Sequence, residues 1–268
     1  MQVMKIFKLT IFLFFSLILF GIVSISIMYF NVKDELPKLP SSLLNANFQL
    51  PVEIYSSNGE LIKLIGNRMV IKFSAISPYF IQAIIASEDS RFYDHKGIDV
   101  FSILRSVIKN LMNRKIVQGG STITQQLSKN MFFSFKRKWK RKFKEMLIAF
   151  QIETMFSKEE ILEAYCNQIY FGHGKYGVEE ASQFYFGKES KFLNINESAM
   201  LAGFVSMPVK ANPLRNFNLA QKKKVAVLIR MQKVGLISYQ QRVDAERNVI
   251  KLKTQKNINL INQYFIDY

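Results

Sequence analysis

The chain of 268 residues is 49% apolar, material for one sizeable domain or two small ones with an ample core. Its formal charge of +17 asks for an anionic partner or surface, with part of the excess reading as a solvated helix face in a lysine-biased sequence. A single cysteine, Cys166, excludes an internal disulfide, and two histidines without a cysteine cluster argue against a zinc site.

Leu9 to Phe30 carries no charge over 22 residues, enough at ~1.5 Å per residue to cross a ~30 Å hydrocarbon layer. Lys5 and Lys8 precede it, which by the positive-inside rule keeps the N-terminus cytoplasmic and sends the rest outward. A cleaved signal peptide is the competing reading, but the run is long for an h-region and no A-x-A site follows. The implied division is a cytoplasmic tail over 1–8, a transmembrane signal anchor over 9–30, a linker over 31–59, the main domain over 60–235, and a C-terminal helix with the start of a linker over 236–268. The first linker holds Pro37, Pro40 and Pro51 and a β-like piece, Val52 to Tyr55, before the turn-forming Asn58-Gly59.

Beyond the turn the pattern is helical almost throughout. Ser77 and Pro78 suit the N-cap and first position of a helix whose apolar residues Phe80, Ile81, Ile84 and Ile85 lead to Glu88. Asp99 caps a second, in which Val100, Ile103, Leu104, Val107, Ile108, Leu111 and Met112 recur at helical spacing. Gly119-Gly120 breaks the chain before Ser121, the residue expected to cap the next helix. Capping boxes are predicted at Ser157 with Glu160 and at Ser238 with Gln241, and Gly235 ends a helix beginning near Asn218. Lys136 to Lys144 holds seven basic residues and in isolation would pass for a nucleic-acid segment. The anchor places it outside the cytoplasm, which leaves anionic lipid head groups and a pyrophosphate-bearing substrate as partners, and no nucleic acid.

Two blocks carry the chemistry: E-D-S-R-F-Y-D-H-K-G-I-D from Glu88, and Q-G-G-S-T-I-T-Q-Q-L-S-K-N ending at Asn130. They resemble the first two motifs of the family 51 glycosyltransferases, the peptidoglycan glycosyltransferases of class A penicillin-binding proteins and monofunctional transglycosylases. The resemblance continues in family order through R-K-F-K-E (Arg141 to Glu145), I-L-E-A-Y-C-N-Q-I-Y-F-G-H-G-K-Y-G-V-E-E-A-S (Ile161 to Ser182) and N-E-S-A-M-L-A-G-F (Asn196 to Phe204). It implies a mainly α, lysozyme-like glycosyltransferase domain behind a single N-terminal transmembrane helix.

Extending a glycan from a lipid pyrophosphate needs a base for the acceptor hydroxyl and cations for the leaving group. Glu88, ending an apolar helix, suits the first task, since partial desolvation raises a carboxylate pKa. The resemblance makes Glu88 the general base toward the 4-hydroxyl of the acceptor sugar, with Asp89 positioning the loop around it. It makes Glu145 the second carboxylate, assisting departure of the pyrophosphate directly or through a divalent cation; by spacing alone Glu145 is an i,i+4 ion pair with Arg141. Two carboxylates by themselves also describe a glycoside hydrolase. Lys129, Arg137 and Arg141 argue instead for a pyrophosphate leaving group. Thr122 and Gln126 offer hydrogen bonds to sugar or phosphate oxygens, and Gly119 and Gly120 let the loop move and the backbone approach substrate. The resemblance counts Phe92 and His95 of the first motif, with Asp89, among the substrate-binding residues, and His95 is also expected to hydrogen-bond locally and fix the Glu88 loop. Tyr170, Gly172, Gly174, Tyr176 and Gly177 read as structural, Glu197, Ala199 and Leu201 as a packing helix, and Cys166 as a buried filler.

Met131 to Phe135, beside Trp139 and the basic run, has the character of a membrane-surface element, with core packing the competing reading for Phe132 and Phe133; Phe101 to Val117 is a second candidate for membrane contact. S-x-x-K occurs only as Ser106 to Lys109 within a helix and K-T-G is absent, so no acyl-serine chemistry and no transpeptidase domain is expected. The expected activity is inverting polymerisation of lipid II into β-1,4 glycan with release of undecaprenyl pyrophosphate. No cofactor is required for it, magnesium or manganese at the pyrophosphate being an optional companion. Lipid II, the growing strand, the membrane and a separate transpeptidase or other cell-wall proteins are the implied partners, at the outer face of the bacterial cytoplasmic membrane. The alternatives are a lysozyme-like enzyme that cleaves glycan, and an inactive remnant or scaffold of a bifunctional protein.

Overall fold

The structure is a computed structural model describing residues 2–44, 52–65, 69–115, 119–133 and 139–253. In chain order its elements are α1 (Gln2–Phe30), β1 (Val52–Tyr55), β2 (Leu61–Ile65), α2 (Pro78–Glu88), α3 (Val100–Met112), α4 (Ile123–Phe132), α5 (Trp139–Met155), α6 (Lys158–Gln168), α7 (Val178–Phe186), α8 (Ile195–Phe204), α9 (Phe217–Lys233) and α10 (Tyr239–Arg247). The fold is mainly α, as expected, with one antiparallel hairpin in which β1 pairs with β2 around the Asn58-Gly59 turn, Gly59 taking φ +83°.

Within α1, Phe7–Phe30 is long and apolar enough to cross a membrane, and none of it is buried against the protein. The stretch after it, read as a linker, begins as a strap on the domain. Val32 and Leu43 are buried and Leu36, Leu39 and Leu44 pack against the core. Glu35 pairs with Lys140 and Lys144 of α5, and those hydrogen bonds hold its carboxyl down at about 2.

The core forms around α8, in which eight of ten residues are buried. A helix apolar on all sides must be covered on all sides. α2 and α9 pack on it, and α10 lies across α9. Phe80, Phe171, Tyr185 and Phe204 interlock here, Phe171 and Tyr185 both meeting Phe204 edge-on at 5.9 and 5.4 Å. Cys166 is fully buried, in keeping with a filler role. The region after Gly235 is fastened by Asn196 Nδ2 donating to the Asn248 carbonyl at 2.9 Å and by Lys253 N donating to the Tyr185 carbonyl at 2.8 Å. The expected linker beyond residue 253 lies outside the described residues.

α4 packs on α5 and α6 to make the other half of the domain. Both predicted capping boxes form, and Asn194 with Glu197 makes a third. One cap differs from expectation. Thr122, not Ser121, caps α4, because its hydroxyl accepts from Gln125 N at 3.1 Å while donating to the Gly97 carbonyl at 2.7 Å. Asp99 caps α3 as expected. The apolar row of α3 faces away from the core: Phe101, Leu104, Ile108, Leu111 and Met112 are all exposed, Met112 at 79%. By contrast Phe132 and Phe133 pack against the core, so the core reading holds for both, and Met131, expected at the membrane surface, packs there with them. Ser134 to Lys138, which include Phe135 and Arg137, lie outside the described residues.

Candidate active site

α2 delivers Glu88 at its last residue, where an apolar helix leaves its floor and the loop of residues 89–97 begins. The side chain is half-buried. Its Oε2 accepts from Gln126 Nε2 at 2.9 Å, and Gln126 Oε1 accepts in turn from the Tyr165 hydroxyl at 3.2 Å. A carboxylate gripped at one oxygen keeps a fixed direction while its other oxygen stays available; Ser87 Oγ reaches Oε1 only at 3.4 Å. Burial raises the Tyr165 pKa well above its ordinary value, assisted by the negative charge of Glu88, so this hydroxyl remains a donor.

Asp89 is buried and joins two elements. Its Oδ2 accepts from Ile123 N, in the first turn of α4, at 3.0 Å, and both oxygens lie 3.1 Å from His95 Nε2. His95 therefore holds the loop, as expected. Phe92, expected to bind substrate, is instead fully buried beneath it, its ring edge-on to His95 at 6.2 Å, and is a core residue out of reach of a substrate. At the end of the loop Gly97 adopts φ +81°, and a Cβ there would stand 2.7 Å from the Ala149 carbonyl oxygen of α5. Gly120 is equally constrained: its Cβ would meet Ser106 Oγ at 2.8 Å and Ile103 Cα at 3.1 Å, so close packing against α3 explains this glycine. Gly119 faces open space.

The cations converge from α4 and α5. Glu145 is buried, with Arg141 Nε 2.9 Å from Oε1 and Lys142 Nζ 3.3 Å from Oε2. The Arg141 contact is a close ion pair without linear hydrogen-bond geometry. Lys142 also donates to Ser121 Oγ at 2.9 Å and reaches Gln125 Oε1 at 3.5 Å. Lys129, in the last turn of α4, is half-buried and makes no ion pair among the described residues. Desolvation lowers its pKa, Glu145 pulls it back up, Lys142 and Arg141 press it down, and Glu88 raises it slightly. The ammonium thus lies within electrostatic reach of both carboxylates.

The structure brings together Glu88, Asp89, His95, Gln126, Lys129, Arg141 and Glu145. It commits the Thr122 hydroxyl to its cap, leaves Phe92 in the core and does not describe Arg137. Sequence reasoning missed Lys142, although the i,i+3 spacing to Glu145 in R-K-F-K-E was visible. It also missed Tyr165, and Arg230 of α9, whose guanidinium donates to the Ser87 carbonyl at 2.9 Å across 143 positions with no local signal. Among the described residues no three His, Cys, Asp or Glu side chains gather as a metal site. A groove of about 320 Å³ near Ile71 and Glu179 shares no residue with this cluster.

Comparison with known proteins gives a match over residues 58–232 to the family described as transglycosylase. Penicillin-binding protein 1A of Escherichia coli is 41% identical over 240 residues, 89% of this chain and 28% of that protein. Its counterpart in Aquifex aeolicus is 39% identical over 267 residues, 99% of this chain and 35% of that protein. The chain therefore spans about a third of the length of these curated relatives. The crystal structure of penicillin-binding protein 1A from Haemophilus influenzae is 24% identical, with a TM-score of 0.46 over 77% of this chain and 22% of that one.

Proposed function

Because this chain belongs to the transglycosylase family, the family 51 glycosyltransferases, we propose that it polymerises lipid II into β-1,4 glycan strands. The observation that carries the reading is one carboxylate, Glu88, held by Gln126, with Lys129 in electrostatic reach of it and Arg141 and Lys142 paired with Glu145.

In the proposed step Oε1 of Glu88 takes the proton of the acceptor 4-hydroxyl as the hydroxyl oxygen attacks the donor's anomeric carbon. The bond from that carbon to the pyrophosphate breaks, and its electron pair leaves on the pyrophosphate. A single displacement inverts the α-linked donor to a β product. The charge that develops is met by Lys129 and by Arg141 and Lys142, whose positions are set by Glu145. Glu145 in this arrangement aims cations. If a divalent cation accompanies the pyrophosphate, Glu145 is the residue that would hold it, and the ion would supply neutralisation of leaving-group charge.

Lys5 and Lys8 ahead of the apolar helix favour a cytoplasmic N-terminus and a catalytic domain on the outer face of the membrane. The exposed apolar row of α3 suits a second contact with the bilayer, bringing the site to the head groups where a lipid-linked donor resides. A separate transpeptidase that cross-links the strands would be the natural partner. Incubation of the detergent-solubilised protein with labelled lipid II tests the reading. Polymer is expected; shortening of added finished glycan without polymer would indicate a hydrolase, and no reaction an inactive scaffold.

A further inference from the structure

One partly buried ion pair joins the elements that carry the site. Glu153 lies on α5 two turns beyond Glu145, its side chain 3% exposed, where a carboxylate needs partners to be tolerated. Thr124 Oγ1, from the first turn of α4, donates to its Oε1 at 2.6 Å. Lys158 Nζ, from the first residue of α6, donates to the same oxygen at 2.9 Å and lies 2.7 Å from Oε2. The same ammonium donates to the His95 carbonyl at 2.7 Å and sits 4.2 Å from the centroid of Phe92. His95 holds Asp89, and Asp89 accepts from Ile123 N next to Thr124. The circuit is closed, running from α5 to α6, to the loop after Glu88, to α4 and back to α5.

We propose that Glu153 and Lys158, locked by Thr124, are positioning residues that set Glu88 against the cations of α4 and α5. The inference rests on the reading of Glu88 as the base. A pair with one carboxylate taken out of water is a poor device for stability alone, because desolvating that charge offsets much of the attraction. Here every partner of the pair belongs to a segment that bears a site residue. Loosening the circuit at Thr124 should free the Asp89 end of the loop, and Glu88 with it, while leaving Lys129, Arg141 and Lys142 in place.

The test measures kcat, KM for labelled lipid II and the thermal midpoint of the full chain in four forms: parent, Thr124→Val, Thr124→Ser and Tyr185→Phe. The last removes a buried hydroxyl that donates to the Phe171 carbonyl and takes no part in the circuit, and controls for plain loss of stability. Thr124→Val is expected to lower kcat about tenfold with KM within about twofold, the pattern of a lost transition-state interaction. Thr124→Ser, which keeps the hydroxyl, is expected to restore kcat, and Tyr185→Phe to lower the midpoint without lowering kcat. Parent-like kcat in Thr124→Val would overturn the inference, as would losses of kcat that follow the thermal midpoint alike in Thr124→Val and Tyr185→Phe. A parent that makes no polymer would instead remove the reading of Glu88 on which the inference stands.

Discussion

Glu88 and Lys129 divide the proposed chemistry between them, and they respond to mutation in different ways. Glu88→Gln keeps an oxygen for Gln126 Nε2, so its thermal midpoint should match the parent while polymerisation falls by roughly 10²–10⁴-fold, the usual worth of a positioned proton acceptor. A mutant retaining a tenth of parental activity would remove Glu88 from that role. Lys129 sits where an ammonium is poorly solvated, and burial lowers its pKa below 10.5. The unfolded chain keeps this proton to higher pH than the folded one, so between the two pKa values stability rises with pH; at neutral pH the half-buried charge works against folding. Lys129→Met should therefore melt no lower than the parent and yet lose donor use. Parent-like kcat/KM in that variant would take the lysine out of the site. In the parent, kcat/KM should decline on the alkaline side at a pH below 10.5, and Lys129→Arg should shift that decline upward while recovering little activity, because a planar guanidinium does not replace a point charge.

At the scale of elements, α3 is the least covered helix of the domain, and its row from Phe101 to Met112 offers apolar surface to whatever lies beside it. Replacing Leu104 and Ile108 with glutamate should weaken association with lipid vesicles while leaving the thermal midpoint within a few degrees, because neither side chain is part of the core. Unchanged vesicle association would leave α3 as a solvent-facing helix. This row was legible in the sequence as a helical period, but a period does not say whether the apolar face meets protein or lipid. Local devices were equally legible: Asp99, Ser157 with Glu160, and Ser238 with Gln241 each cap a helix through contacts within three residues. The choice of Thr122 over Ser121 was not, since it depends on the Gly97 carbonyl 25 positions away. Gln126 was visible as a site residue, whereas its partners Glu88 and Tyr165 stand 38 and 39 positions off. Likewise no pattern around Glu35 announces Lys140 and Lys144 as its partners.

The whole molecule combines a helix long and apolar enough to cross a membrane, a strongly basic chain, an exposed apolar row on α3 and a cluster of cations around Glu145. With residues 1–30 deleted, the domain should still sediment with anionic vesicles at low ionic strength, each basic residue near the surface adding roughly 1 kcal/mol, and should be released by salt. Binding to neither anionic nor neutral vesicles would assign membrane attachment to α1 alone. The central claim is that Glu88 drives glycosyl transfer whose leaving group is a lipid pyrophosphate. Its most direct measurement follows two products of labelled lipid II together, new glycosidic bonds and free undecaprenyl pyrophosphate, in the parent and in Glu88→Gln. The account predicts that both rise in step in the parent and that neither appears in the variant; glycan growth in the variant, or growth in the parent without pyrophosphate release, would contradict it.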